Sequence, residues 1–458
     1  MKSYLLYSLL CFHAIVYAQF GEQQIISDTS SGSRSVQTAD MDGDGDLDVL
    51  SSSSFDDRVA WYENLDGLGS FGEKQIIGVL NSTNSSFPSD LDGDGDLDVI
   101  ATSSADDKLV MYLNTNGLGD FGNEILLANE NQVFDAKAFD LDNDDDNDIV
   151  YISFAGAKLQ WLENLDGLGN FGAPQLISNN TPVGTNVQGD DIDGDGDIDL
   201  VAAIAQLDTV AWYENLDGLG SFSAANIITT NANGVISVDI ADMDGDGDLD
   251  VISAAITANI SEVNIAWYEN IDGAGTFIGE NVITDAADFC YFVFAVDVDN
   301  DGDQDILSNS GETGNARIFW QENLDGLGNF GPQLSFGENI EFCRYIIGAD
   351  VDNDGDNDVV YSDQNAGIVA WHENLTILGI SENTHVSFTL SPNPAQETLT
   401  IVSPNPIRKI IIYNILGVIV DTKEDVTSLN VSRLIADTYI VKVIDHQGNF
   451  GIQKFIKK

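Results

Sequence analysis

DMDGDGDLD, residues 40–48, is the stretch on which the fold turns. Relatives of it begin at Asp90, Asp140, Asp191, Asp242, Asp297 and Asp350, at steps of 50, 50, 51, 51, 55 and 53 residues. An apolar run follows each copy: VLSSSS, VIATSS, IVYISF, LVAAIA, VISAAI, ILSNS and VVYS. A second extended segment resembling AWYENL comes next. In the first six copies a Gly-rich turn such as DGLGSFG follows it, and then a third segment such as EKQII or APQLIS. These runs are short, β-branched and bounded by Gly, Asp and Asn, which is strand and hairpin chemistry. Nothing between the loops holds a helical period for three turns.

Four short strands per repeat of about 50 residues is the size of a propeller blade, and radial repetition removes the exposed sheet edge. The repeat region opens with FGEQQIIS at Phe20–Ser27, and its last copy stops after WHENL. The final strand has therefore moved to the N-terminal end, where it can complete the last sheet and lock a ring. A parallel β-helix, the rival architecture, needs no such offset. The expectation is an all-β chain: a seven-bladed β-propeller over residues 19–376, then a small C-terminal β-sandwich.

Each loop has nine positions, with acids at 1, 3, 5, 7 and 9. They are Asp40, Asp42, Asp44, Asp46 and Asp48; Asp90, Asp92, Asp94, Asp96 and Asp98; Asp140, Asp142, Asp144, Asp146 and Asp148; and Asp191, Asp193, Asp195, Asp197 and Asp199. The last three loops contribute Asp242, Asp244, Asp246, Asp248 and Asp250; Asp297, Asp299, Asp301, Asp303 and Asp305; and Asp350, Asp352, Asp354, Asp356 and Asp358. Alternate carboxylates on a tight loop converge, and glycine at position 6 permits the bend. Their mutual repulsion, on the order of a few kcal/mol per close pair near a surface, is reversed by a hard divalent cation. An all-oxygen site this rich in carboxylates suits calcium better than magnesium. Up to seven calcium ions are the expected cofactors. Position 7 supplies a backbone carbonyl, so Asp46 need not point inward.

An EF-hand also begins D-x-D-x-D-G, but it requires a bidentate Glu at position 12 and flanking helices. Position 12 here is Ser51, Ala101, Tyr151, Ala202, Ser253, Ser308 and Tyr361, all inside the following strand. The EF-hand is excluded. D-x-D-x-D-G-x-x-D followed by an aliphatic residue instead resembles the calcium loop of FG-GAP (VCBS) repeats, the family that includes the integrin α-subunit propeller. The resemblance implies a propeller with a cation loop in each blade. The third copy, DLDNDDDND, departs from the pattern by placing Asp145 where glycine belongs, which implies a weaker site.

Charge divides the chain. Residues 19–376 carry 8 Lys or Arg against 69 Asp or Glu, or −61, whereas residues 377–458 carry 8 against 7. So acidic a body repels nucleic acid and anionic lipid. Residues 1–18 read as a secretory signal, with Lys2, an apolar run and Val16-Tyr17-Ala18 before the cleavage point. No stretch reaches the ~18 apolar residues that span a bilayer. Cys290 and Cys343 each lie seven residues before a loop in adjacent repeats. In an exported chain they are a candidate disulfide, the alternative being two buried thiols.

Trp61, Trp161, Trp212, Trp267, Trp320 and Trp371 share one repeat position, Met111 takes it in the second copy, and an asparagine follows three residues later in every copy. Large apolar residues repeated on a strand read first as blade-to-blade core, and second as sugar-stacking platforms. Catalysis finds no motif: no G-x-S-x-G, no HExxH, no paired Cys and His, and only scattered basic residues. The chain reads as a non-enzyme. The segments 256–265 and 284–294 break the repeat and are candidate partner sites.

After a linker at 377–386, residues 387–458 contain SPNPAQETLTI, KIIIYNILGVIV and SLNVSRLIADTYIVKVID. With Pro392-Asn393-Pro394, Tyr413-Asn414, Gly417, Leu434, Tyr439 and the terminal lysines, this resembles the C-terminal sorting domain of the type IX secretion pathway. Asp437 stands where that family commonly has glycine, and an immunoglobulin-like module is the alternative. The resemblance implies the type IX machinery as a partner and a secreted or outer-surface location. The functional expectation is an exported calcium-binding propeller that adheres to an extracellular protein or glycan. The alternative is a polysaccharide lyase or glycosidase, or its targeting module.

Overall fold

A computed structural model gives the fold. It describes residues 20–256, 264–284, 289–311, 316–337, 339–375, 388–403, 406–413, 419–424, 426–435, 438–445 and 450–458. The expected signal segment, the linker, residues 257–263 of the unrepeated stretch 256–265 and residues 285–288 of the stretch 284–294 lie outside the described residues. The chain divides into two compact units, 1–376 and 377–458.

In the first unit the described residues form seven four-stranded antiparallel sheets, one for each aspartate loop. The first sheet runs in chain order through Ser33–Ala39, Asp48–Ser53, Arg58–Tyr62 and Gln75–Val79. Each aspartate loop is the turn between the first and second strand of its sheet. The first strands pack side by side around a closed cycle, and that of the seventh sheet, Cys343–Ala349, returns to Ser33–Ala39. They are the inner strands of a ring.

The offset of the repeat is the closure. Gln24–Ser27 pairs with Ile368–His372 as the outer strand of the seventh sheet, with Gln24 opposite Trp371. Phe20 extends the seam, stacking on Phe336 at 4.0 Å. The all-β propeller expected from the repeat is borne out, and the β-helix is excluded. The second strand of every sheet is buried at all six positions. Such strands need apolar or hydroxyl residues throughout rather than alternation.

The repeated tryptophans, and Met111 in their place, are buried between sheets. Trp61 packs with Met41, Leu50 and Val59 of its own sheet and Val99, Val110 and Tyr112 of the next. Its ring presses on Gly119 in the next sheet's turn, where an added Cβ would stand 2.1 Å from Cζ2. Trp161 meets Gly220 in the same way, Trp212 meets Gly275, and Trp371 meets Gly69 across the closure. Tryptophan on one blade and glycine on the next form one joint, so the core reading holds over the sugar-platform one.

Cys290 and Cys343 are free and buried, which corrects the expected disulfide. Each sulfur has a local partner instead: Cys290 Sγ donates to Phe292 O at 3.4 Å, and Asn309 Nδ2 lies 3.6 Å from Cys343 Sγ. Burial pushes the Cys290 thiol up to about 12 and raises that of Cys343 further, so both stay protonated.

The second unit pairs a three-stranded sheet (Thr389–Ser391, Thr398–Val402, Ser428–Asn430) with a four-stranded one (Ile419–Glu424, Ile407–Tyr413, Thr438–Asp445, Phe450–Ile456). Phe388, Leu399, Ile401, Ile410, Val441 and Phe455 fill its core. Asn393 of the Pro-Asn-Pro motif is tied to the terminal strand: Ile456 N donates to its Oδ1 at 2.9 Å, and its Nδ2 donates to Lys454 O at 3.1 Å. Asn414 and Gly417 lie outside the described residues.

Candidate metal sites

Each loop leaves an inner strand at position 1 and enters the buried second strand at position 9. Positions 4 and 6 are left-handed, at φ 75° and 98° for Gly43 and Gly45. That double turn folds side chains from positions 1, 3, 5 and 9 toward one centre. In the first five loops, carboxylate oxygens of three different aspartates lie within 4.8 Å of one another. Asp40, Asp42 and Asp48 form the first such group, and Asp90, Asp92 and Asp94 the second.

The five acids differ in what holds them. Position 1 organises the loop: Asp40 accepts the N–H groups of Gly43, Asp44 and Gly45 at 2.7, 3.1 and 3.0 Å. The bond from position 6 recurs in all seven copies at 3.0–3.1 Å. Position 5 accepts the N–H of position 7, as Asp44 does from Asp46 at 3.0 Å. Position 7 turns away in the first loop: Asp46 lies against Gly67 of its own sheet and accepts Asn353 Nδ2 of the neighbouring sheet at 3.1 Å. Its side chain is a blade-to-blade contact.

Position 9 is buried in every copy. Asp48 accepts Met41 N at 2.9 Å on one oxygen and Asn64 N at 2.8 Å on the other. Burial, opposed by those amides, pushes Asp48, Asp98, Asp148, Asp199, Asp250 and Asp305 up to about 7 and Asp358 to about 8. Position 3 is the least satisfied. Asp92, Asp142, Asp193, Asp299 and Asp352 each hold a buried Oδ1 without a hydrogen-bond partner. Burial first and the position-5 charge second raise their carboxyls, to about 6 at Asp142, Asp299 and Asp352. Buried anionic oxygens that face other carboxylates and no donor are costly. A hard cation at the convergence point would give them a partner, and the all-oxygen donor set fits one.

The third loop keeps the turn at position 6. Asp145 takes φ 70° where the other copies have glycine at 93–102°, and its N–H still reaches Asp140 at 3.1 Å.

The loops are also joined to their neighbours. The asparagine after each tryptophan position donates its Nδ2 to the position-2 carbonyl of the adjacent sheet's loop: Asn114 to Met41 O, Asn164 to Leu91 O, Asn215 to Leu141 O. Asn64 reaches Val351 O across the closure, and all seven contacts measure 2.7–3.0 Å. The same asparagine donates its backbone N–H to position 9 of its own loop. In sequence the asparagine reads as a turn residue. Its strict spacing was the available signal, but the partner is a repeat away. The propeller's basic residues, scattered in sequence, are also partly gathered: Arg34, Lys137 and Arg344 all lie on inner strands.

Comparison with known proteins agrees with this geometry. The FG-GAP-like repeat profile matches residues 40–101, 90–151, 191–253 and 297–361, together more than half of the chain. The secretion system C-terminal sorting domain matches residues 389–458. No curated protein matches the chain. Among solved structures, "BBS1N in complex with ARL6DN" aligns at TM-score 0.52 and 12% identity, over 78% of this chain and 98% of that one. Virginiamycin B lyase from Staphylococcus aureus aligns at TM-score 0.52 and 13% identity, over 77% and 98%. Identities this low speak for the fold alone. The sorting domain marks the chain for export through the type IX machinery to a secreted or surface location. Among the described residues no helix is long and apolar enough to cross a membrane. With loops, sheets and profile in agreement, the chain belongs to the FG-GAP-like repeat family and ends in a secretion system C-terminal sorting domain.

Proposed function

We propose that the exported propeller is a calcium-stabilised module that adheres to an extracellular protein or glycan, and that all seven loops hold the metal. The observation that carries the calcium assignment is the set of unpartnered, buried position-3 oxygens in five loops, each beside further carboxylates. Positions 1, 3, 5 and 9 would ligate through their side chains and position 7 through its carbonyl. Bound there, the metal supplies positive charge to a hairpin whose own carboxylates repel. The loop's position-2 carbonyl is held by the next sheet's asparagine, so a loop fixed in shape also fixes a blade boundary. The role is structural rather than catalytic.

The adhesive reading is supported by export, by a family profile that is a repeat rather than a catalytic domain, and by the allocation of the repeated acids to loop structure. Its test is a glycan and extracellular-protein binding screen with the calcium-loaded chain, beside a reducing-sugar assay. Binding without turnover, weakened by chelator, is expected. Sugar release that depends on the propeller would establish the enzymatic alternative instead.

A further inference from the structure

The seven inner strands begin at the end of the axis away from the aspartate loops. A strand such as Ser33–Ala39 spans on the order of 20 Å between the two ends. There the strand starts enclose a recess to which every sheet contributes, including Arg34, Asn84, Asp135, Asn186, Tyr291 and Arg344. Its cavity volume is ≈ 40 Å³, room for an ionic group but not for a sugar ring.

Two of the eight basic residues of a body carrying −61 meet in this recess. Arg34 donates Nη1 to Asn84 Oδ1 at 2.6 Å, while its Nε is buried without a partner. Arg344 lies over the Tyr291 ring at 4.7 Å. Ring closure makes them neighbours: burial, and then the Arg34 charge, pull Arg344 down to about 10. Among the described residues the ion pairs are Lys74–Asp56, Lys108–Glu124 and Lys158–Glu130, and neither arginine takes part in one. Asp135, the acid in the wall, is already occupied by Ser85 Oγ at 2.8 Å, Asn186 Nδ2 at 2.8 Å and Val187 N at 3.2 Å. Two guanidinium groups held together without an anion are unfavourable, and an oxyanion offers both forks acceptors.

We propose that this recess is an anion-recognition site for an acidic glycan, whose uronate carboxylate or sulfate ester enters between Arg34 and Arg344. A glycan fits better than an acidic peptide because the same wall presents the aromatic rings of Phe134, Tyr291, Phe292 and Tyr345. Phe292 is buried against Tyr345 at 3.7 Å, but Phe134 and Tyr291 are only half-buried, and their open parts can pack on the apolar face of a sugar while its acidic substituent goes inward. The proposal rests on the binding-module reading but not on the calcium assignment.

The test is calorimetric titration of the calcium-loaded full chain with oligogalacturonate, a sulfated galactan oligomer, a neutral galactan oligomer and poly-glutamate. One or both acidic glycans bind and the neutral one does not. Arg34→Gln and Arg344→Gln each weaken binding tenfold or more, whereas Arg317→Gln, an exposed arginine elsewhere, leaves it unchanged. Should Arg344→Gln fail to fold, Arg34→Gln and competition by free sulfate carry the test. Equal binding of neutral and acidic oligomers, or indifference to both substitutions, overturns the site. Binding of poly-glutamate alone overturns the glycan assignment. Failure of every anion while another glycan or protein still binds removes this site and leaves the module reading standing. Failure of all ligands removes both.

Discussion

Asp94 and Asp98 share a loop and a place among the proposed ligands, but Asp98 also holds two interior amides. Asp98 is buried and accepts Leu91 N at 3.0 Å and Asn114 N at 2.7 Å. Asp98→Ala leaves two interior amides without acceptors and is expected to cost roughly 2–5 kcal/mol by urea denaturation, with or without calcium. Asp94, exposed at position 5, accepts Asp96 N at 3.0 Å, a bond that asparagine keeps, so its charge is expected to matter only to the metal. Asp94→Asn should lower calcium affinity at one site and leave the calcium-free unfolding midpoint where it was. Equal effects of both changes in calcium-free protein would contradict this division. Asp145 makes a third residue-scale case. Its φ of 70° suits glycine, so Asp145→Gly should stabilise by roughly 0.5–1 kcal/mol and tighten calcium at the third loop. Alternate acids and a central glycine were legible in the sequence. Which acid serves the backbone and which is left unpartnered was not, because that depends on the depth to which the second strand is buried.

At the scale of elements, the joints between blades decide stability. An added methyl at Gly220 meets Trp161 Cζ2 at 2.1 Å on a backbone of φ 73°. Gly220→Ala should therefore cost roughly 2–4 kcal/mol in thermal or chemical unfolding. Asn164→Ala removes the 3.0 Å clamp on Leu91 O and should cost about 1–3 kcal/mol. Short β-branched runs and Gly-rich turns made the strands readable, and the misplaced FGEQQIIS run announced the closure. The clamps and the tryptophan–glycine joints were unreadable because each links residues one repeat apart across two sheets. The cysteines show the same limit. Equivalent positions in adjacent repeats put Cys290 and Cys343 close, yet each thiol faces a partner of its own. Without reductant, both should alkylate after denaturation and neither in the native protein; a failure to alkylate in denaturant would restore the disulfide.

For the whole molecule, the ring sorts charge by end. Carboxylates gather in loops at the far ends of the inner strands, and Arg34 and Arg344 stand at the near ends, brought together only when the seventh sheet meets the first. Composition alone showed the acidity of residues 19–376 and the near-neutral tail, but the pairing of two arginines from opposite ends of the repeat region needed the closed circle. A body of such charge is held together, on this account, by divalent ions at its blade boundaries. Calcium titration of metal-stripped protein, read by calorimetry together with thermal unfolding, tests that most directly. Several ions per chain, approaching seven, are expected, with an unfolding temperature that rises as they bind and falls again with chelator. A chain that takes up no stoichiometric divalent ion, and melts at the same temperature with and without chelator, would contradict it.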